Sequence, residues 1–328
     1  MSLQDLMAQR RAKLAQWRAL GCEPYAYRYE VTHHAADLLA RGEAVTAEPG
    51  ERVRLAGRVM TVRGHGKAGF AHLLDGSGRI QLYFRSDALG EQFRRYELVD
   101  VGDWLGVEGR LFRTRTGEIT VRVESLELLA KAIRPLPEKW HGLQDPETRF
   151  RQRYADLFVN LEVREVFRRR ARLTARMRRF LDGRGFLEVE TPVLQPLYGG
   201  AFARPFITHH HALDVDLYLR ISNELYLKRL IVGGLERVYE FSRDFRNEGL
   251  DRTHNPEFTL LEYYQAFADA GEMMDVTEAL VCDALADACG TLRLTYHGRP
   301  VDFTPPWPRL SMPRAVGERA GEPVDGLD

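Results

Sequence analysis

Two short strands around a polar loop, between Val238 and Gln265, carry the densest set of residues able to do chemistry. Val238–Arg246 and Phe258–Ala266 read as strands, and Asn247–Pro256 between them is rich in turn residues. Side chains two apart on a strand share a face. Glu240, Ser242, Asp244 and Arg246 therefore share one face of the first strand, and Phe258, Leu260, Glu262 and Tyr264 one face of the second. Tyr239, Phe241 and Leu261 are their apolar neighbours. Such a polar face is either exposed to solvent or the wall of a cleft. The loop adds Glu248, His254 and Asn255. Together these groups can hold an anionic phosphate, a planar base and a cation. An arginine–phosphate bond contributes about 1.5–3 kcal/mol, and stacking a base on an aromatic ring about 1–3 kcal/mol. No Walker A pattern and no strand-linked GxGxxG occurs, so a nucleotide would have to be bound in another way.

The bulk numbers set the frame. The 328 residues are 44% hydrophobic and 29% charged, an ordinary globular composition with length enough for two domains. Lys+Arg and Asp+Glu both number 47, which leaves a nucleic-acid partner open, because clustering of basic residues matters more than their sum. Cys22, Cys282 and Cys289 are scattered without metal spacing, which suggests a reducing compartment. The first residues carry an early acid, Asp5, and no apolar stretch of signal-peptide type. No apolar run approaches the roughly 20 residues of a membrane span. The expectation is a soluble cytoplasmic protein with no membrane partner. His209-His210-His211 would point to alternate faces of a strand, with no Cys or acid cluster to complete a site, so no metal ligand is assigned in this chain.

Several elements must position the hairpin. Residues 3–20 have a helical pattern with Arg10, Arg11, Lys13 and Arg18 on the polar side, and Gly21 should stop it. Its basic face is either simply solvated or turned to RNA. From Glu51 the texture becomes β-type: Val53–Thr61, Phe70–Leu74, Ile80–Phe84, Trp104–Phe112 and Ile119–Leu129, with tight turns at Asp75–Gly78 and Thr116-Gly117. About five strands in about 80 residues suggest a closed OB-fold barrel, which binds single strands by aromatic stacking. Phe70, Tyr83 and Phe84 either serve that stacking or fill the barrel core. Arg134-Pro-Leu-Pro-Glu138 reads as an extended linker. Residues 161–182 form an arginine-rich helix closed by Gly183 and Gly185, and Phe186–Glu190 starts a strand ending at Thr191-Pro192. A helix is expected over 271–289, and a short strand-like segment follows Thr291.

At this point a resemblance emerges. Phe245-Arg246-Asn247-Glu248 and His254-Asn255-Pro256-Glu257-Phe258-Thr259 resemble motif 2 of the class II aminoacyl-tRNA synthetases. Gly185-Phe186-Leu187-Glu188-Val189-Glu190-Thr191-Pro192 resembles the end of motif 1, which in that class forms the dimer interface. The version here is most similar to the lysine–tRNA ligases. Supporting segments are Pro135–Leu143, Arg151–Tyr154, Gly199–Thr208 and Glu224–Arg229. The resemblance implies an α+β fold, with residues 1–50 a helical extension, 51–133 an OB-fold anticodon-binding barrel, 134–150 a linker and 151–328 a class II antiparallel-sheet catalytic domain. It implies activation of L-lysine by ATP and transfer to tRNA(Lys), in a homodimer built through the motif 1 helix and strand. Arg246 should contact the ATP α-phosphate and the substrate carboxylate. Glu248, His254 and Asn255 should hold ATP, and Phe258 should stack on adenine. Gly200, Glu224, Glu262 and Tyr264 should line the lysine pocket, with a mobile loop at Gly199-Gly200. Phe70, Gln81 and Glu118 should recognise the central uridine of the anticodon, which favours stacking for Phe70. Carboxylates suit a substrate with two ammonium groups, whose desolvation they offset. No protein nucleophile is needed, and none is found.

One part of the pattern is missing. The third class II motif, with its glycine-rich strand–helix and ATP-binding arginine, has no counterpart in the 328 residues. The Mg²⁺ ligands of the resemblance, and the acid expected at the lysine ε-ammonium, belong to that part as well. The expectation is a truncated catalytic domain, inactive as this polypeptide alone. Two alternatives stand beside the lysine–tRNA ligase. A catalytically inert tRNA-binding paralogue would keep the barrel and a partial pocket. A lysine ligase acting on protein would usually lack the barrel.

Overall fold

A computed structural model describes residues 2–137 and 143–321. Residues 138–142 of the expected linker, Glu138 among them, lie outside the described residues. The chain divides into two compact units, Met1–Leu161 and Glu162–Asp328.

The first unit opens on α1 (Leu3–Ala19), held at its start by a reciprocal capping box between Ser2 and Asp5. Gly21, at φ 73°, turns the chain out of it. Trp17 is fully buried on one side of the helix. Two of the four basic residues expected on its polar side are used internally. Arg10 Nη1 donates to the Ala132 carbonyl at 2.8 Å, and Lys13 pairs with Asp100 at 2.6 Å. A short α2 (Ala35–Leu39) follows, its first N–H donating to Asp75 Oδ2 at 2.8 Å.

Five strands, β1 (Arg52–His65), β2 (Ala68–Leu74), β3 (Arg79–Arg85), β4 (Trp104–Arg113) and β5 (Ile119–Ala130), close into a barrel in the order β1-β2-β3-β5-β4. Alternation explains the closure. In β3, Ile80, Leu82 and Phe84 point inward and are buried, while Gln81 and Tyr83 face out. The Asp75–Gly78 turn forms as expected, with Asp75 Oδ1 accepting from the Ser77 and Gly78 N–H groups. Gly69 is required by contact: a Cβ there would meet the Tyr96 ring at 2.0–2.6 Å. Two short helices, α3 (Ser86–Leu89) and α4 (Phe93–Glu97), carry Tyr96 and were not legible in the alternation of the strands. Beneath the barrel the buried Lys131 ammonium bonds Asp100 at 2.6 Å and Asp103 at 2.8 Å.

A helix forms within the later part of the segment 134–150 expected as a linker. Asp145 caps α5 (Pro146–Arg151) by accepting from Thr148 N at 2.9 Å, and Pro146 is preset for the first turn. With α6 (Arg153–Val159), this segment belongs to the first unit.

The second unit is built on α7 (Leu161–Gly183) and a three-stranded sheet. Its strands are β6 (Leu187–Glu188), β10 (Arg237–Phe245) and β11 (Glu257–Gln265), in the order β11-β10-β6. The strand expected over Phe186–Glu190 is only two residues long, running parallel to β10. Between β6 and β10 lie β7 (Leu194–Gln195), β8 (Ile207–His210), β9 (Val215–Leu219) and α8 (Glu224–Val232). α9 (Ala270–Cys289) ends at Gly290 in the left-handed region. A hairpin of β12 (Arg293–Tyr296) and β13 (Arg299–Asp302) follows, then α10 (Met312–Ala320), capped by Ser311 and not expected from the sequence. The core behind the sheet gathers Leu181, Phe186, Tyr239 and Leu280, with Met177, Phe241, Leu261 and Tyr263 against them. Part of the arginine run on α7 is also internal: Arg176 pairs with Asp283 at 2.6 Å and Arg178 with Glu188 at 2.9 Å.

Candidate active site and nucleic-acid interface

The β10–β11 register decides which side chains meet. Glu240 pairs with Glu262, Ser242 with Leu260, and Asp244 with Phe258, so the two polar faces are one face. It is not a solvated face. Glu240, Ser242 and Asp244 are buried, and Phe258, Glu262 and Tyr264 are half-buried beside them. Tyr239 and Phe241 turn to the opposite side and join the core.

A buried arginine makes this floor tolerable. Arg220 Nη1 reaches Glu240 Oε1 at 2.6 Å, and Arg220 Nε lies 3.2 Å from Asp244 Oδ1. Thr191 Oγ1 donates to Glu240 at 2.7 Å, and Asn223 Nδ2 at 3.1 Å. A buried carboxylate needs this company, since an isolated one would be neutralised instead. Asp244 is the less satisfied member. Arg220 is its ion-pair partner, and burial pushes its pKa up against the pull of Ser242, Arg220 and Arg246.

The residues expected around an amino acid come together. Ser222 Oγ donates to Glu262 Oε1 at 2.8 Å, and Tyr264 Oη to Glu262 Oε2 at 3.3 Å. Burial raises the Glu262 pKa, and the like charges of Asp244 and Glu224 add to this against the Ser222 and Tyr264 hydrogen bonds. Burial, with the nearby carboxylates, pushes the Tyr264 hydroxyl up as well. Gly200, at φ 86°, closes against them: a Cβ there would lie 2.8 Å from Glu224 Cβ and 2.9 Å from Ser222 Oγ. Glu224 opens α8, and its carboxylate accepts from Lys228 at 2.6 Å. The pocket edge thus already carries a cationic partner.

The residues expected around a nucleotide are less assembled. The Arg246 guanidinium lies 5.1 Å from the Phe258 ring centre, a cation–π contact, and its buried Nε makes no hydrogen bond among the described residues. Glu248, His254 and Asn255 are exposed in the loop. His254 Nδ1 is 2.8 Å from Asp251 Oδ2, and Asn255 Nδ2 donates to the Glu257 carbonyl at 2.6 Å. Asp251 organises this loop, accepting from the Thr253 and His254 N–H groups at 2.7 Å; those bonds hold its carboxyl well below the usual range.

Sequence reading missed Arg220, Ser222, Asn223 and Asp251. The first three stand in Arg220-Ile-Ser-Asn-Glu224, a polar run immediately before α8 that could have been singled out by its closeness to Glu224. The three histidines form no shared site: His209 Nδ1 bonds Asp216 at 2.9 Å, while His210 Nδ1 accepts from Leu213 N.

The barrel presents a second site. On its outer face, cross-strand neighbours form two rows, Thr61·His72·Gln81·Thr120 and Arg63·Phe70·Tyr83·Arg122. Phe84 belongs to the core, whereas Phe70 is exposed and stacks on Tyr83 with ring centres 4.7 Å apart. Gln81 Nε2 donates to Glu118 Oε2 at 2.7 Å, and Thr120 Oγ1 donates to Gln81 Oε1 at 2.8 Å. Of the three residues expected to read a base, Phe70 and Gln81 line a cleft of about 540 Å³, whose wall includes Arg63, His72 and Arg115, and Glu118 joins them through its hydrogen bond with Gln81.

Comparison with known proteins gives a family match for each of two regions. Residues 145–325 match the model for class II tRNA synthetases (D, K and N), and residues 53–129 that for the OB-fold nucleic acid binding domain. The chain is 53% identical over 326 residues to a lysine–tRNA ligase of Carboxydothermus hydrogenoformans, covering 99% of this chain and 66% of that protein. It is 54% identical over 320 residues to a lysine–tRNA ligase of Pelotomaculum thermopropionicum, covering 97% of this chain and 63% of that protein. A lysine–tRNA ligase of Moorella thermoacetica is 54% identical over 324 residues, with 98% and 66% covered. The chain therefore spans just under two thirds of the length of these relatives.

Proposed function

The chain belongs to the class II tRNA synthetases of the D, K and N group, and we propose that its function is lysine–tRNA ligation, in which its second unit supplies the face that binds ATP and L-lysine for lysyl-adenylate formation while its barrel holds the anticodon of the tRNA that receives the lysyl group. The observation that carries this reading is the shared face of β10 and β11, where Arg246, Phe258, Glu262 and Tyr264 stand over a buried, charge-paired floor.

Each group has a task in that reaction. Glu262, oriented by Ser222 and Tyr264, and Glu224, sharing its carboxylate with Lys228, offset the desolvation of the substrate's ammonium groups. Gly200 lets the chain lie against Glu224 without a side chain in the way. The adenine ring stacks on Phe258, while Glu248, His254 and Asn255 hold the rest of the nucleotide from the loop. A lysine carboxylate oxygen attacks the α-phosphorus in line, and pyrophosphate leaves. Arg246 offsets the negative charge that builds there. A terminal ribose hydroxyl of the tRNA then attacks the lysyl carbonyl, and AMP leaves. ATP chemistry in this class goes with Mg²⁺. Among the described residues no group of three or more His, Cys, Asp or Glu gathers to hold a metal. Phe70, Gln81 and Glu118 read the central anticodon uridine. Val166, Phe167 and Leu187, exposed on α7 and β6, belong to the surface proposed for a homodimer.

Isothermal titration of this chain with L-lysine and with L-aspartate tests the reading. Binding of lysine and not aspartate, lost in Glu262→Gln, is the expected result. Binding of aspartate, or lysine binding indifferent to Glu262, would overturn it.

A further inference from the structure

We propose that His72 is a positioning residue for base selection in the barrel cleft: it locks the Glu118 carboxylate beside the Gln81 amide, so that acceptor and donor face a bound base in one fixed order. This rests on the reading of the barrel as an anticodon-binding site, and goes beyond the three residues assigned to it.

His72 sits on β2 between Thr61 of β1 and Gln81 of β3, its direct cross-strand neighbours. Its side chain is mostly buried. Nδ1 lies 2.8 Å from Thr61 Oγ1, and Nε2 lies 3.1 Å from Glu118 Oε1. The other Glu118 oxygen accepts from Gln81 Nε2 at 2.7 Å. A carboxylate can only accept, so the ring nitrogen facing it must carry a hydrogen. That holds for the neutral ring with Thr61 donating to Nδ1, and equally for the doubly protonated ring. The remaining tautomer would set a lone pair against the carboxylate.

Glu118 needs this support. It stands outside the strands, in the turn just before β5, and its side chain is about half exposed. Without His72 it would be held through one oxygen only, by a glutamine that can rotate about its own side chain. Gln81 is oriented in turn by Thr120, whose hydroxyl donates to Oε1. The chain Thr61–His72–Glu118–Gln81–Thr120 thus leaves Gln81 one amide N–H to give, and Glu118 its spare lone pairs to receive. For a base fixed by stacking on Phe70 and by its sugar, the order of these two groups is readable. Uracil presents a carbonyl oxygen next to a ring N–H. Cytosine presents an amino group next to a bare ring nitrogen, so each good pair becomes donor against donor or acceptor against acceptor. If Glu118 swings, the order is lost while stacking and charge remain.

The test is binding of the full chain to two fluorescently labelled anticodon stem–loop RNAs that differ only in a central uridine or cytidine. Wild type should prefer the uridine loop. In His72→Ala the preference should fall about five- to tenfold, uridine binding weakening more than cytidine binding. His72→Gln, which returns a donor on the same strand, should restore most of it. If wild type shows no preference, the anticodon reading of the cleft fails. If wild type discriminates and His72→Ala discriminates equally, the positioning role is refuted. Equal loss for both RNAs, unrelieved by His72→Gln, would also refute it.

Discussion

Arg220 is the residue on which the buried floor of the candidate active site depends, and Arg220→Met should show it. The side chain is 5% exposed, and its partners Glu240 and Asp244 are 4% and 0% exposed. It also donates to the Thr191 carbonyl at 3.1 Å and the Arg243 carbonyl at 2.9 Å. Methionine fills a similar volume but leaves Glu240 buried without its cation, and Asp244 with only the charge of Arg246 nearby. Removing one partner of such a cluster costs about 3–5 kcal/mol, a large fraction of the 5–15 kcal/mol that typically stabilises a domain. With a urea slope of about 2 kcal/mol/M, the midpoint for this unit should fall by about 1.5–2.5 M. Hydrogen exchange followed by mass spectrometry along the urea series reads β10 and β11 apart from the barrel. Adding Glu240→Met should recover a large part of the loss, because the unpaired charge is then removed rather than stranded. A loss below about 1 kcal/mol in Arg220→Met, or a further loss on adding Glu240→Met, would refute the charge argument.

Two further outcomes follow from the same face. Asp244 has its pKa raised by burial, so its contribution favours folding below the ordinary aspartate value and is lost as pH rises through the raised one; Asp244→Asn should therefore gain stability over wild type as pH climbs through that window, with no gain at lower pH, as measured by denaturant titration at a series of pH values. Gly200→Ala must hold a Cβ at φ 86° and within 3 Å of Glu224 and Ser222; the backbone strain alone is about 1–2 kcal/mol, and lysine affinity by titration should fall at least tenfold with little change in the barrel's RNA binding.

Much of this molecule was legible because its elements are written in local periodicity. The five barrel strands follow from alternation, and the β10–β11 hairpin follows from turn residues between two alternating runs. Alternation also separated Phe84 from Tyr83, but it could not say which side was the core until the barrel closed. The same limit applied to the hairpin. Glu240, Ser242 and Asp244 read as a polar face, yet whether that face met water depended on Arg220, which arrives from 20 residues earlier and has no local signature. Ser222 and His72 escaped for a related reason: each acts on a residue distant in sequence, Glu262 and Glu118, through pairing that only the closed sheets establish. The two-residue β6 and the capped α5 differ from expectation where a parallel pairing and an N-cap outweighed the apparent strand and linker texture.

The central claim is that one face of the β10–β11 hairpin holds the two halves of lysyl-adenylate side by side. Titration of the chain with a non-hydrolysable sulfamoyl analogue of lysyl-adenylate tests it most directly, with L-lysine and ATP measured alone. Joining the two halves should make the analogue bind at least about a hundredfold more tightly than either half, with Glu262→Gln and Arg246→Ala each removing most of that gain. An analogue that binds no more tightly than L-lysine alone would contradict the claim.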